Sequence, residues 1–498
     1  MVKQGGHVGG GTLISEAYHP LEAKVIEMNL KNLIPICIGY FLSMGGVCLQ
    51  AQETPPNILL IFTDDQGYQD LGCFGSPDIQ TPHLDQLADE GRKFTSFYSA
   101  CSVCSPSRAA LLTGCYPPRV GLTKVLFAQD SKGLNPEEVT LAEMLKQVGY
   151  RTACIGKWHL GHKAPFLPIE QGFDYYFGIP YSNDMRIDPT AKLADDIVLR
   201  EGVTREQIKK VPVSKQKDRL VPLMRNDEVV EYPADQTSLT RRYTEEAIRF
   251  MEENKDQPFF VYLPHTMPHI PLFASEEYRG KSAAGLYGDT IEEIDGSVGQ
   301  LTDALNRLGL AKQTLVIYTS DNGPWKLKNG HGGRAHPLRG FKFNTYEGGM
   351  RVPCIMRWPG KIPAGSVTDA VAGTIDLAPT IAVLCGATLP QDRVLDGHDI
   401  MPLMTGESAK SPHQAYFYYK GNRVSAVRAG DWKLRTTPAD PKKQTPELVE
   451  LFNLQDDISE SKNLASEHPE KIAELREMVR LFDGKLKNAS RPIGELRK

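Results

Sequence analysis

The stretch Asn57-Ile58-Leu59-Leu60-Ile61-Phe62-Thr63-Asp64-Asp65-Gln66-Gly67 is an unbroken apolar run that ends in two adjacent carboxylates. A run without polar alternation is the pattern of a strand covered on both faces, in the middle of a parallel sheet. Three further runs repeat it. Tyr150 to Gly156 leads into Lys157-Trp158-His159, Pro258 to Leu263 into Pro264-His265, and Thr314 to Thr319 into Ser320-Asp321-Asn322-Gly323. Helical periods fall between them at 81–91, opened by Pro82, and at 140–149, 241–254 and 286–308. Strands alternating with helices predict an α/β fold, a large mainly parallel sheet flanked by helices. In such sheets ligands bind beyond the carboxyl ends of the strands. Asp64, Asp65, Lys157, His159, His265, Asp321 and Asn322 all fall there. Any one pair alone is a common turn; four strand ends together mark a site.

A second stretch, Cys101-Ser102-Val103-Cys104-Ser105-Pro106-Ser107-Arg108, continues through Leu111-Leu112-Thr113-Gly114. Ser105 as a cap, Pro106 as first residue and Gly114 as a stop predict a short helix. Cys104 then lies just ahead of a helix N-terminus, where unpaired N–H groups favour negative charge, and Arg108 is one turn on. A thiol so placed is expected to have a depressed pKa. The plainer alternative is a buried or disulfide-bonded cysteine before an ordinary helix.

The Cys-x-Pro-Ser-Arg and Leu-Thr-Gly spacing around Cys104 resembles the sulfatase signature at every fixed position. The resemblance implies an alkaline-phosphatase-like fold and oxidation of Cys104 to formylglycine, whose hydrated aldehyde is the nucleophile. Asp64, Asp65, Asp321 and Asn322 are hard oxygen donors that suit Ca²⁺ or Mg²⁺ rather than zinc. They match the family's metal site, usually a calcium site, with residue 104 as a further ligand. Arg108, Lys157 and Lys342 are the candidate cations for the sulfate charge. Gly156-Lys157-Trp158-His159-Leu160-Gly161 looks like the family's Lys-x-His motif. Lys342-Phe343-Asn344-Thr345-Tyr346-Glu347-Gly348-Gly349 resembles its second lysine motif, with Phe343 where the family often has glycine. By the same resemblance His159 pairs with the nucleophile and His265 donates a proton to the leaving oxygen. Ser182 matches an accessory residue of arylsulfatase-A-like members, and His269, His331, Arg334 and His336 are the remaining candidates for substrate contact. The resemblance runs from Asn57 to the Glu450–Leu454 stretch and is weakest over 183–236 and 326–340.

The whole chain has 498 residues, 41% hydrophobic and 24% charged, and a net charge of −4. That composition is globular, and the charge argues against a general nucleic-acid surface. Residues 1–27 show no periodicity and read as a non-native upstream extension. Lys31 followed by the apolar run Leu33 to Val47 reads as a signal peptide over 28–51, with the mature chain starting near Gln52. The run is short for a stable membrane span. Cys48 as a lipoprotein anchor is an alternative. Removal of the signal leaves Cys73, Cys101, Cys104, Cys115, Cys154, Cys354 and Cys385, and export permits disulfides whose pairing the sequence does not assign.

Residues 183–236 are polar and proline-interrupted, and read as an irregular insertion over the site. A catalytic domain is expected over 52–404. Short strands after His413 and a closing helix over 467–486 predict a second, α+β domain over 405–498. The expected function is an exported sulfatase acting on a sulfated carbohydrate or aryl sulfate, with a formylglycine-generating enzyme as maturation partner. The rivals are a phosphate or phosphonate monoester hydrolase and an inactive glycan-binding relative.

Overall fold

Successive side chains of Asn57–Thr63 point to opposite faces of a sheet, and both faces are covered. Ile58, Leu60 and Phe62 enter one apolar core; Leu59 and Ile61 enter another. This computed structural model describes residues 55–216, 220–326 and 331–496. The expected upstream extension and signal peptide, with Cys37 and Cys48, lie outside the described residues.

In chain order the strands of the main sheet begin with β1 (Asn57–Thr63), β2 (Arg92–Phe94), β3 (Arg151–Ile155) and β4 (Tyr175–Gly178). Next come β5 (Leu193–Leu199), β6 (Leu223–Arg225), β7 (Glu228–Tyr232) and β8 (Phe259–Pro264). Last are β9 (Thr314–Ser320), β10 (Cys354–Arg357) and β11 (Ser366–Thr368). Among the described residues they form an 11-stranded sheet in the order β11-β2-β10-β9-β1-β8-β3-β4-β6-β7-β5. The central run β9-β1-β8-β3-β4 is parallel throughout, so its carboxyl ends share one edge.

Helices cover both faces. One core takes residues of α1 (Pro82–Asp89), and the opposite core takes those of α2 (Cys104–Thr113) and α3 (Leu141–Gln147). α4 (Leu239–Glu253) and α5 (Gly285–Arg307) pack on the α1 face, and α6 (Leu377–Leu384) packs with α2 and α3. The expected α/β architecture is therefore the observed one. No helix among the described residues is long and apolar enough to cross a membrane.

Two expectations are corrected. Residues 183–236 are not an irregular cover: they supply β5, β6 and β7, which extend the sheet beyond β4. β5 is mostly exposed or half-buried, so it lacks the apolar alternation by which an edge strand is recognised. The second correction concerns α2, which opens at Cys104 itself, not at Pro106. Its N-cap is Val103, and the Ser105 hydroxyl instead accepts the backbone N–H of Leu126 at 3.1 Å. Gly114 does stop the helix, in a left-handed conformation at φ 67° that glycine adopts without strain.

A smaller antiparallel sheet follows, β12 (Tyr416–Lys420), β13 (Arg423–Ala429), β14 (Trp432–Thr437) and β15 (Leu448–Asn453), and then α7 (Pro469–Asn488). A buried ionic cluster joins it to the segment after Lys342. Lys433 of β14 reaches Glu347 at 2.7 Å and Glu460 at 2.9 Å, and the Tyr98 and Tyr418 hydroxyls donate to Glu347 at 2.6 and 2.9 Å. Burial opposes ionisation of Glu347, but Lys433 and then Arg351 hold its pKa down to about 2. Removing one partner of such a pair strands the remaining charges. Lys433→Met should therefore lower stability by about 3–5 kcal/mol in urea unfolding. A loss indistinguishable from that of an exposed lysine would refute this role.

Candidate active site

The parallel register brings distant loops to one edge. Asp64 and Asp65 follow β1, Asp321 and Asn322 follow β9, and Lys157 follows β3. All five are buried. The Asp65 backbone N–H donates to Asp321 Oδ1 at 3.1 Å, and Asn322 Nδ2 donates to Asp65 Oδ1 at 2.7 Å. Arg108, one turn into α2, forks onto Asp321 Oδ2 through Nε at 3.1 Å and Nη2 at 2.8 Å. Its other terminal nitrogen donates to the Lys157 carbonyl at 3.0 Å. Lys157 Nζ lies 2.5 Å from Asp64 Oδ2, and Lys342 Nζ lies 2.7 Å from Asp65.

Cys104 sits inside this shell. Its Sγ is 3.4 Å from Asp64 Oδ1 and 3.3 Å from Lys342 Nζ. Burial pushes its thiol pKa up, and Lys157 and Lys342 only partly oppose that. The expected depressed pKa is thus overturned, because removal from water outweighs the helix terminus and the neighbouring cations. The remaining described cysteines are also unpaired.

Charge is distributed unevenly among the acids. Burial disfavours the ionised form of Asp64, yet Lys157, His269 and Arg108 hold its pKa well below the usual carboxylate range. Burial and then repulsion from Asp64 raise Asp321 to about 7. For Lys342 burial works against the charge, and Asp65 overrides it, so the ammonium is held charged.

The histidines divide differently from expectation. His159 Nε2 lies 2.9 Å from the Leu126 carbonyl, which can only accept. The proton is therefore on Nε2, leaving Nδ1 a buried lone pair without a partner among the described residues. Burial, and then Lys157, lower its pKa well below the usual value. His269 lies in the cluster, with Nε2 3.2 Å from Ser182 Oγ and 3.7 Å from Asp65 Oδ2. Ser182 in turn receives Lys157 Nζ at 3.4 Å. The Nδ1 of His269 faces the Ile270 carbonyl at 2.6 Å and Asn183 Oδ1 at 3.0 Å.

His265 is elsewhere. Its ring sits against Tyr243 of α4, 6.5 Å between centroids, with both nitrogens buried and unpartnered among the described residues. Burial lowers its pKa to about 4. Among the described residues no hydrogen bond or ion pair links it to the cluster. Arg334 is exposed and forks onto Asp78, and His331 and His336 are exposed. Asn183, which fixes His269, and Trp325, whose ring meets His269 at 5.6 Å, were not singled out from the sequence. Trp325 stands three residues after Asn322, and Asn183 directly follows Ser182; proximity to those motifs was the available signal.

A divalent cation fits this donor set. The Asp64, Cys104 and Asp321 ligand atoms lie within 4.8 Å of one another, and the Asn322 Oδ1 is buried without a hydrogen-bond partner among the described residues. An orphaned carbonyl oxygen among buried carboxylates is the environment a hard cation satisfies.

Residues 56–387 match the family model named Sulfatase, and residues 341–485 match the model of the N-sulphoglucosamine sulphohydrolase C-terminal region. The chain is 40% identical to human arylsulfatase A over 457 residues, 86% of this chain and 88% of that protein. It is 39% identical to mouse N-acetylgalactosamine-6-sulfatase over 413 residues, 79% and 74% of the two chains. The crystal structure of Ps i-CgsB in complex with k-i-k-neocarrahexaose superposes with a TM-score of 0.75 at 30% identity, covering 87% of this chain and 94% of that one. With the alkaline-phosphatase-like sheet and Cys104 among buried carboxylates and cations, these likenesses establish that the chain belongs to the sulfatase family and is a sulfuric ester hydrolase.

Proposed function

We propose that this chain is an exported sulfatase that hydrolyses sulfate monoesters of a sugar or aryl alcohol through formylglycine at position 104 and a bound Ca²⁺. The observation that carries the reading is the placement of Cys104, with Asp64 at 3.4 Å and Lys342 at 3.3 Å. A buried thiol whose pKa is pushed up is a poor nucleophile in its own right. The same position suits a hydrated aldehyde, which supplies an oxygen nucleophile and divides hydrolysis into two easier stages. Its formation requires a maturation enzyme as partner. Export rests on the apolar run behind Lys31.

Asp64, Asp65, Asp321 and Asn322 would hold the cation, which supplies Lewis-acid polarisation of oxygen. Lys157, Lys342 and Arg108 offset the negative charge of the sulfate group and of the oxygen that develops as the S–O bond breaks. His159 would take a proton at Nδ1, a lone pair with no partner among the described residues, in the return of residue 104 to its aldehyde. His269 is favoured over His265 as donor to the leaving oxygen, because its Nε2 faces Ser182 and Asp65 within the cluster; with the Nδ1–H turned to the Ile270 carbonyl, it would donate from Nε2 as the imidazolium. Substrate contacts by Arg334, His331 and His336 lack comparable support, since Arg334 is engaged by Asp78 and the histidines face solvent.

Protein made with a formylglycine-generating enzyme should carry an aldehyde at position 104 in peptide mass spectrometry. It should cleave aryl sulfate faster than aryl phosphate. Active protein with only a thiol there, or a preference for the phosphate, would overturn the reading.

Chelation should lower both activity and Tm, with Ca²⁺ restoring both. Asp321→Ala should abolish the Tm response and cost at least ~10²-fold in turnover. A Tm response to Ca²⁺ that survives in Asp321→Ala would move the cation elsewhere.

The two histidines separate by leaving group. Sugar alcohols need a proton as they depart, whereas nitrophenolate leaves largely unaided. His269→Ala should slow a sugar sulfate by about 10²–10⁴-fold and 4-nitrophenyl sulfate much less. His265→Ala should leave the ratio of the two rates at its wild-type value. The reverse pattern would return the acid role to His265.

A further inference from the structure

Phe343 directly follows the cluster lysine Lys342, and its backbone has φ 75°, a left-handed conformation that a bulky side chain adopts only under strain. The backbone is fixed there. The Phe343 N–H donates to the Ser102 carbonyl at 3.0 Å, two residues ahead of Cys104. A glycine would relieve the strain and an asparagine would tolerate it, yet the chain places a phenyl ring at this position.

That ring is not spent on the core. It is 39% exposed, a large apolar surface at the edge of a polar cluster. Behind it Trp325 packs edge-to-face, with ring centroids 5.4 Å apart and planes at 78°. Trp325 also meets the His269 ring at 5.6 Å, so the aromatic wall runs from the proposed proton donor to the surface. Lys342 Nζ lies 4.8 Å from the Trp325 centroid and 5.5 Å from that of Phe343, while reaching Cys104 Sγ at 3.3 Å. The open ring therefore flanks the same ammonium that contacts Cys104.

We propose that Phe343, backed by Trp325, is a specificity-determining platform for the leaving alcohol, and that the substrate carries its sulfate on a ring, pyranose or aryl, that lies against this phenyl face. An aromatic face attracts the C–H face of a sugar or the plane of an aryl group, and offers little to a flexible polar chain. The proposal rests on the sulfate-ester reading above. It adds that the alcohol part, beyond the sulfate, is gripped here.

The test uses full-length matured protein and the variants Phe343→Gly, Phe343→Asn and Phe343→Tyr. Steady-state hydrolysis of 4-nitrophenyl sulfate and of a panel of sulfated monosaccharides gives KM and kcat, and inhibition by inorganic sulfate reports the sulfate site alone. Glycine and asparagine should raise KM for ring-bearing esters by about tenfold with kcat little changed. The inhibition constant for sulfate should stay at its wild-type value, and Tm should be equal or higher because the strain is relieved. Tyrosine should retain the wild-type KM. Unchanged KM in both the glycine and asparagine variants would overturn the platform. So would a parallel loss of kcat and of sulfate inhibition, which would make Phe343 a positioning residue for Lys342. Absence of sulfate-ester hydrolysis in the matured wild type would refute the underlying function instead, and the platform with it, before any variant is compared.

Discussion

Three carboxylates, Asp64, Asp65 and Asp321, are buried within reach of three cations, Arg108, Lys157 and Lys342, and neither set is tenable without the other. An isolated charge in a low-dielectric interior is costly enough that the group ordinarily neutralises instead. Here each acid is met by a cation from a different segment: Asp321 by α2, Asp64 by the turn after β3, and Asp65 by the loop carrying Lys342. The cations come from a helix and two loops that are separate in sequence from the acids they meet, so the balance exists only when the parallel strands end at a common edge. Asn322 and Asp65, hydrogen-bonded across a separation of 257 residues, show how complete that dependence is. The fold is in this sense a device for bringing opposite charges out of water together.

Such a cluster leaves the backbone little freedom. Asp65, His159 and Phe343 all have positive φ, at 66°, 63° and 75°. Each follows a residue whose side chain is already committed: Asp64 to Lys157, Trp158 to the Phe166 carbonyl, and Lys342 to Asp65. Left-handed turns at non-glycine residues persist only where surrounding contacts over-determine them. Their coincidence with the cluster means that local propensity has been overridden there by the need to aim adjacent side chains in different directions.

This explains which parts of the molecule were legible in the sequence. Apolar strands covered on both faces advertise themselves, and the residue types at their ends point to Asp64, Asp65, Lys157, Asp321 and Asn322; Arg108 and Lys342 enter through the family resemblance of the stretches around Cys104 and at 342–349. What failed depended on partners that are remote in sequence. His265 and His269 leave the same strand four residues apart, and local pattern does not distinguish them. The choice is made by Ser182 and Asn183, which capture His269, and by Tyr243, which packs on His265. The thiol of Cys104 was misjudged for a related reason: its position on a helix is local, whereas its burial is not. β5 escaped notice because an edge strand can be polar when its stability comes from backbone pairing with a neighbour already in place, and β6 and β7 because they are short, at 3 and 5 residues.

The smaller sheet belongs to the same argument. The segment that supplies Lys342 and Phe343 runs from Arg339 to Glu347, and its fastenings lie in the C-terminal part of the chain. Arg339 donates to the Glu460 carbonyl at 2.8 Å, the Tyr346 hydroxyl donates to Glu450 at 2.8 Å, and the Glu347 N–H donates to Glu460 Oε2 at 2.7 Å. Lys433 then neutralises Glu347 and Glu460 together. A lysine on an irregular loop could not be held 3.3 Å from Cys104 Sγ by its own sequence, because fixing so many side-chain torsions is entropically opposed. The small sheet meets that cost with buried, charge-assisted contacts on the far side of the loop. Lys433, Glu450 and Glu460 thereby fix the geometry of a site that none of them touches.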